Sequence, residues 1–210
     1  MNHTKTYYRR DVQYQARTFV IEGPVSGDEL SHYSFDDGLS AFRRPAEQFA
    51  AIKEIADLPE GRIIICRDHS QIIAYVTFLY PDPLERWSEG NLPFLMELGA
   101  IEVALPYRSL GIGKEMLKLA MLDDQMEDYI IITTEYYWHW DLKNSGLSVF
   151  EYKDVMRKMM EAGGMEVFAT NDPEITSHPA NSLMARIGSR INNEQIEQFD
   201  NIRFINRFFF

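Results

Sequence analysis

The sequence predicts an α+β protein with a central mixed, mostly antiparallel sheet flanked by helices. Three observations carry this reading. Apolar residues recur at helical spacing in three windows, 44–58, 111–122 and 148–162. Runs of β-branched and aromatic residues between turn residues mark strands near 18–22, 62–66, 71–80, 95–105, 129–134 and 165–169. Their order places a hairpin in the first half and strand–helix alternation in the second, which is the plan of a mixed sheet. The 210 residues are 45% hydrophobic and 25% charged, within the globular range. No repeat, linker or low-complexity tract divides them, so one domain over 1–210 is expected, with a core at 18–170 and a C-terminal extension at 171–210.

Each element has its own local cause. Lys5, Arg9, Arg10 and Arg17 mark a cationic lead-in to the first strand, which Gly23-Pro24 breaks. The first helix places Phe49, Ile52, Ile55 and Ala56 on one side and stops at Pro59-Glu60-Gly61. Asp68-His69-Ser70 turns one strand into the next. The 81–93 insert, with three prolines and Gly90, is irregular. The second helix carries Ile112, Met116, Leu119 and Ala120. The almost wholly apolar 129–134 run suits the middle of a sheet. The third helix presents Val149, Phe150, Tyr152, Val155, Met156 and Met159 as its inner face and ends at Gly163-Gly164. The 202–210 stretch reads as a last strand, and its three terminal phenylalanines either close the sheet or form an interface.

Composition excludes several classes. A single cysteine, Cys66, allows no intramolecular disulfide framework and no Cys-rich zinc site. His3, His32, His69 and His139 lack ligand spacing, so no metal is expected. The apolar runs are too short to span a bilayer, and the first residues lack a signal-peptide core, so the expected location is the cytoplasm. A net charge of −11 disfavours a nucleic-acid surface. The same charge either favours cationic acceptors, such as amines and exposed lysines, or serves only solubility.

The chemistry concentrates in 98–114. There a strand feeds a tight turn, Arg108-Ser109-Leu110-Gly111-Ile112-Gly113, that opens a helix at Lys114. Glycines let the backbone approach a ligand closely. Free N–H groups at a helix start, with the helix dipole, favour phosphate. Arg108 and Lys114 add positive charge in an acidic chain, so the turn has the makings of a pyrophosphate cradle. It is not a P-loop, because Gly-x-x-x-x-Gly-Lys-Ser/Thr is absent. Two glycines are too few for the dinucleotide fingerprint.

Arg108, Gly111 and Gly113 resemble the acetyl-coenzyme A signature of the GNAT acetyltransferases, Arg/Gln-x-x-Gly-x-Gly/Ala. Ile101-Glu102-Val103 and Tyr107-Arg108 extend the likeness. The stretches Tyr136-Tyr137-Trp138-His139-Trp140-Asp141-Leu142-Lys143, Asp172-Pro173-Glu174-Ile175, His178-Pro179-Ala180-Asn181 and Arg186-Ile187-Gly188 resemble one subgroup, the acetoin-utilisation acetyltransferases of Gram-positive bacteria. The resemblance implies a GNAT fold, acetyl-CoA as co-substrate and direct attack of an amine on the thioester. It also implies a protein substrate, acetyl-CoA synthetase, inactivated by acetylation of its active-site lysine.

On this reading Arg108, Ser109, Leu110, Gly111, Ile112, Gly113 and Lys114 hold the pyrophosphate. Val103, Ala104 and Leu105 offer backbone groups to the pantetheine arm and the oxyanion. A general base must deprotonate the incoming ammonium. The candidates are Glu102, placed first because it adjoins the strand end, then Glu97, eleven residues before Arg108, and His178. Five residues apart, Glu97 and Glu102 face opposite sides of a regular strand, and a carboxylate buried there has a raised pKa. The family's coenzyme-binding Asn corresponds to Asn144, but Glu151 stands where a Tyr acid is usual, and Tyr152 is one position late. The aromatic run 136–140 is either a partner surface or a strand end in the core. Two other functions use the same cradle: a small-amine acetyltransferase, and a non-catalytic coenzyme A sensor. Oligomeric state leaves no mark in the sequence.

Overall fold

A computed structural model of the chain describes residues 3–205. They fall into two compact units. The first holds the described residues up to Tyr80 together with Leu98–Met126, and the second Pro81–Glu97 together with the described residues from Glu127 on.

In the first unit, β1 (Tyr8–Tyr14) and β2 (Arg17–Gly23) form an antiparallel hairpin from Tyr8↔Gly23 to Tyr14↔Arg17. The expected lead-in is therefore a full strand. Its polar sequence hides it, because β1 is an edge strand whose residues are mostly exposed. A capping box of Ser26 and Glu29 starts α1 (Gly27–Leu30). The two-residue β3 (Ser34–Phe35) follows, then α2 (Pro45–Asp57), which starts on a proline and turns Gln48, Ile52 and Ala56 inward. The expected hairpin is β4 (Arg62–Asp68) with β5 (Gln71–Leu79), and His69 takes its left-handed turn position at φ +53°. β6 (Leu95–Val103) and α3 (Ile112–Ala120) complete the set. The strand order here is β1-β2-β4-β5-β6, with β3 parallel to β5. Val25, Leu30, Leu39, Ile52, Ile65, Tyr75 and Ala104 are among the residues of one core cluster. Arg62 and Asp123 form a wholly buried ion pair at 3.2 Å, and the guanidinium also donates to the carbonyls of Thr4 and Glu60. Cys66 is buried in β4, and burial pushes its thiol up to about 12, so it is packing rather than a nucleophile.

In the second unit, the first residues of β6 pair in parallel with β7 (Ile130–Glu135), from Leu95↔Ile130 to Glu97↔Ile132. The chain continues through α4 (Leu142–Ser145), α5 (Val149–Glu161), β8 (Glu166–Phe168), α6 (Pro173–Thr176), β9 (Ser182–Ile187) and α7 (Asn193–Arg203). β9 lies antiparallel between β7 and β8. The one parallel ladder here, beside antiparallel ones, gives the mixed, mostly antiparallel sheet that the sequence predicts.

Two expectations fail in this unit. The expected terminal strand is the end of α7 at Ile202 and Arg203, launched by an Asn192–Gln195 capping box, and the three terminal phenylalanines lie outside the described residues. The expected inner face of α5 is too wide. Phe150 and Val155 stand 58% and 50% exposed, and Met160 is the fully buried residue. At about 100° per residue, seven apolar positions spread beyond one face, and these two fall on its flanks.

Candidate active site

The cradle is built in the first unit. β6 stops because Pro106 enters a 3-10 turn, Leu105–Tyr107. The Ala104 N–H donates to the Ile73 carbonyl at 2.9 Å, and Arg108 Nε donates to the Val103 carbonyl at 3.0 Å. Arg108 thus folds the turn back onto the strand end. Ser109 and Gly111 both take left-handed conformations, at φ +67° and +78°. A Cβ on Gly111 would meet nothing within 4 Å, so the glycine serves backbone conformation and not space. Gly111 caps α3 with no side-chain acceptor, which leaves the first-turn N–H groups for a ligand. Lys114 is exposed in that first turn. The uncapped, doubly left-handed turn and this lysine fit a pyrophosphate.

Glu102 lies in the same unit and is 5% exposed. Its Oε2 accepts from the Tyr75 hydroxyl at 2.8 Å and its Oε1 from the Ala41 N–H at 2.8 Å. Both oxygens are held by the protein.

Glu97, in the second unit, is different. Among the described residues no hydrogen bond reaches its carboxylate. Burial pushes its pKa up to about 8, helped by the negative charges of Glu85 and Asp82. Glu85 is itself raised, first by burial and then by Asp82 and Glu174. A carboxyl in this state exchanges a proton near neutral pH.

The other site residues of this unit are committed locally. His178 stacks on Tyr137 with ring centroids 4.2 Å apart, and its Nδ1 accepts from the Ala180 N–H at 3.1 Å. The neutral ring therefore carries its proton on Nε2 and presents a donor. It lines a cavity of about 300 Å³ together with Lys153, Phe168, Ile175 and Asn181. Asn144 Nδ2 donates to both carboxylate oxygens of Asp141, at 2.9 and 3.0 Å. Glu151 closes the capping box of α5 with Ser148, and Tyr152 stacks on Trp140 at 5.3 Å. The 136–140 run is a 3-10 turn, Tyr137–His139, and not a strand end. Trp138 there is half-exposed and stacked on Tyr136.

Sequence reasoning missed Glu135. It ends β7 at 7% exposure, and its Oε2 accepts from Trp140 Nε1 at 3.1 Å. Burial pushes it up to about 7. The available signal is a lone acid closing an apolar strand. Among the described residues no group of three or more His, Cys, Asp or Glu side chains is placed to hold a metal. No described helix is long and apolar enough to cross a membrane.

Comparison with known proteins agrees with this chemistry. The family model described as the acetyltransferase (GNAT) family matches residues 30–144. The acetoin utilization protein AcuA of Bacillus subtilis (strain 168) is 57% identical over the full length of both chains. The crystal structure of an acetoin utilization protein from Exiguobacterium sibiricum 255-15 superposes with a TM-score of 0.93 at 56% identity, covering 96% of this chain and 95% of that one. An acetyltransferase structure from Salmonella typhimurium, yncA with its cofactor acetyl-CoA, shares the fold at a TM-score of 0.54 and 10% identity, over 82% of this chain and 95% of that one. The chain belongs to the GNAT acetyltransferase family and is an acetyl-CoA-dependent N-acetyltransferase.

Proposed function

We propose that this enzyme acetylates a protein lysine, the active-site lysine of acetyl-CoA synthetase, and so inactivates that enzyme in the cytoplasm as part of acetoin and acetate metabolism. Full-length similarity to proteins named for acetoin utilization supports the metabolic setting. The chemistry is carried by Glu97, whose carboxylate accepts no hydrogen bond among the described residues and whose pKa burial pushes up to about 8.

The steps follow from the residues. The cradle of Arg108–Lys114 holds the pyrophosphate of acetyl-CoA through backbone N–H groups and Lys114. The strand end at Val103–Leu105 lies beside the pantetheine arm. Glu97, ionised, takes one proton from the lysine ammonium, because only the neutral amine is nucleophilic. The amine nitrogen then bonds to the thioester carbonyl carbon, and the carbon–sulfur bond breaks. The second proton of the amine ends on the coenzyme A sulfur, so the amide and the free thiol form together. Glu102 is not the base in this account, because Tyr75 and Ala41 already occupy its oxygens. His178 presents Nε2–H to the acceptor as a donor.

The test mixes the purified protein, acetyl-CoA and acetyl-CoA synthetase, and maps modified lysines by mass spectrometry. Stoichiometric acetylation of one lysine with loss of synthetase activity is the expected result. The carboxylates around Glu97 also suit a free diamine. Acetyl-spermidine formation with no modified protein would establish that second reading instead.

A further inference from the structure

We propose that Arg108 is a positioning residue: it serves acetyl-CoA by tying the cradle turn to the Val103 carbonyl, and not as a counter-charge to the pyrophosphate. The inference rests on the reading that this turn receives the pyrophosphate.

The turn needs to be held. Gly111 adopts its left-handed φ of +78° without steric cost, but Ser109 stands at φ +67°, a region that disfavours a side chain. A residue in that conformation persists where the surrounding structure over-determines it. Arg108, directly before Ser109, supplies two bonds back along the chain. Its N–H donates to the Leu105 carbonyl at 3.3 Å, and its Nε donates to the Val103 carbonyl at 3.0 Å. The first closes the 3-10 turn, and the second ties that turn to the last residue of β6. The anchor point is fixed in the core. Ala104, next in sequence, is completely buried and donates its N–H to the Ile73 carbonyl of β5 at 2.9 Å. Tyr107 sets its ring edge-on to the buried Phe19, with centroids 5.8 Å apart. The tether therefore runs from a rigid strand end to the residue that leads into the left-handed pair.

The same contact sets the direction of the side chain. Nε is the guanidinium nitrogen closest to the backbone, so its bond to Val103 folds the side chain back against the strand end. A bond from a charged donor is of the stronger kind, which suits a tether. The phosphate charge then falls to Lys114, exposed in the first turn of α3, and to the N–H groups that Gly111 leaves uncapped.

Side-chain chemistry separates the two roles. A glutamine places an amide N–H the same number of bonds from Cα as the arginine Nε–H, without charge. A lysine keeps the charge but has a methylene at that position. A methionine has neither donor nor charge. A tether tolerates glutamine and is lost with lysine, and a counter-charge behaves in the opposite way.

The experiment compares Arg108→Gln, Arg108→Lys and Arg108→Met with wild type in two readouts. The first is acetyl-CoA affinity by calorimetry. The second is amide hydrogen exchange across 105–113 in the enzyme without ligand, where a phosphate contact plays no part. Arg108→Gln is expected to match wild type within about twofold in both. Arg108→Lys and Arg108→Met are expected to bind acetyl-CoA about tenfold more weakly and to exchange about tenfold faster at the Tyr107 and Arg/Lys/Met108 amides. Arg108→Lys binding like wild type, beside Arg108→Gln binding like Arg108→Met, would overturn the proposal and make Arg108 a counter-charge. Unchanged exchange in Arg108→Met would also overturn it, because the turn would then hold without the tether. If Arg108→Met does not fold, Arg108→Lys against Arg108→Gln carries the same comparison. Acetyl-pantetheine, which lacks the pyrophosphate, tests the underlying reading separately. Wild type that binds it as tightly as acetyl-CoA would remove the pyrophosphate reading together with the role of Arg108 toward the coenzyme, and the exchange data would still decide whether Arg108 holds the turn.

Discussion

The two ends of β6 carry the same side chain in opposite states. Glu102, near the C-terminal end, has each carboxylate oxygen bonded to the protein. Glu97, near the N-terminal end, has neither oxygen bonded among the described residues, and burial, helped by neighbouring acids, pushes its pKa up to about 8. Burial alone does not make a catalytic acid or base. A buried carboxylate with donors is structure, and one without donors is a reservoir for a proton.

The largest expected effect comes from removing the reservoir. Glu97→Gln should lower kcat/KM by about a thousandfold near neutral pH, read in a coupled thiol-release assay. Wild-type turnover should rise with pH through about 8, because only the ionised form accepts a proton, and the variant should lose that inflection. A smaller effect follows from cutting the clamp. Glu102→Ala leaves the Tyr75 hydroxyl buried without this partner, a cost of about 1–3 kcal/mol in chemical denaturation. The cradle gives an intermediate control for the coenzyme side alone. Gly111→Ala forces an alanine to φ +78°, costing about 1–2 kcal/mol, so calorimetry should show acetyl-CoA affinity weakened by about tenfold. The smallest effect has the opposite sign. A carboxyl whose pKa is raised by folding takes up protons in the native state between its unfolded value, about 4.3, and about 8. Stability therefore falls as pH rises through that window. Glu97→Gln escapes this loss and should melt a few degrees higher than wild type at pH about 8.5, with little difference near pH about 4.

How much was legible in the sequence follows from the distance over which each feature is decided. The turn before α3 was legible because it is local: Arg108, Gly111 and Gly113 lie within one turn of the chain, and the left-handed Gly111 is where a glycine belongs. The central strands were legible for the same reason, since β5 is apolar along nearly its whole length and β7 opens on three consecutive isoleucines. The hydrogen bonds that hold Glu102 were not. The partners of Glu102 lie 27 and 61 residues away in sequence, and no local pattern announces them. β1 was missed because an edge strand needs no apolar alternation. β9 was missed because Ser182-Leu-Met-Ala-Arg-Ile187 lacks a β-branched run, and its place between two partner strands decides its conformation. α7 could have been found. Asn192 followed by Gln195 is a helix-start signal, and it outweighs the apolar residues that suggested a strand.

The most direct test of the central claim is the pH dependence of single-turnover acetyl transfer to acetyl-CoA synthetase, measured from about pH 6 to about pH 10 for wild type, Glu97→Gln and Glu102→Gln. The account predicts an inflection near 8 in wild type and in Glu102→Gln, and its loss with a deep fall in rate in Glu97→Gln. A Glu97→Gln enzyme that keeps both rate and inflection, beside a Glu102→Gln enzyme that loses them, would contradict it.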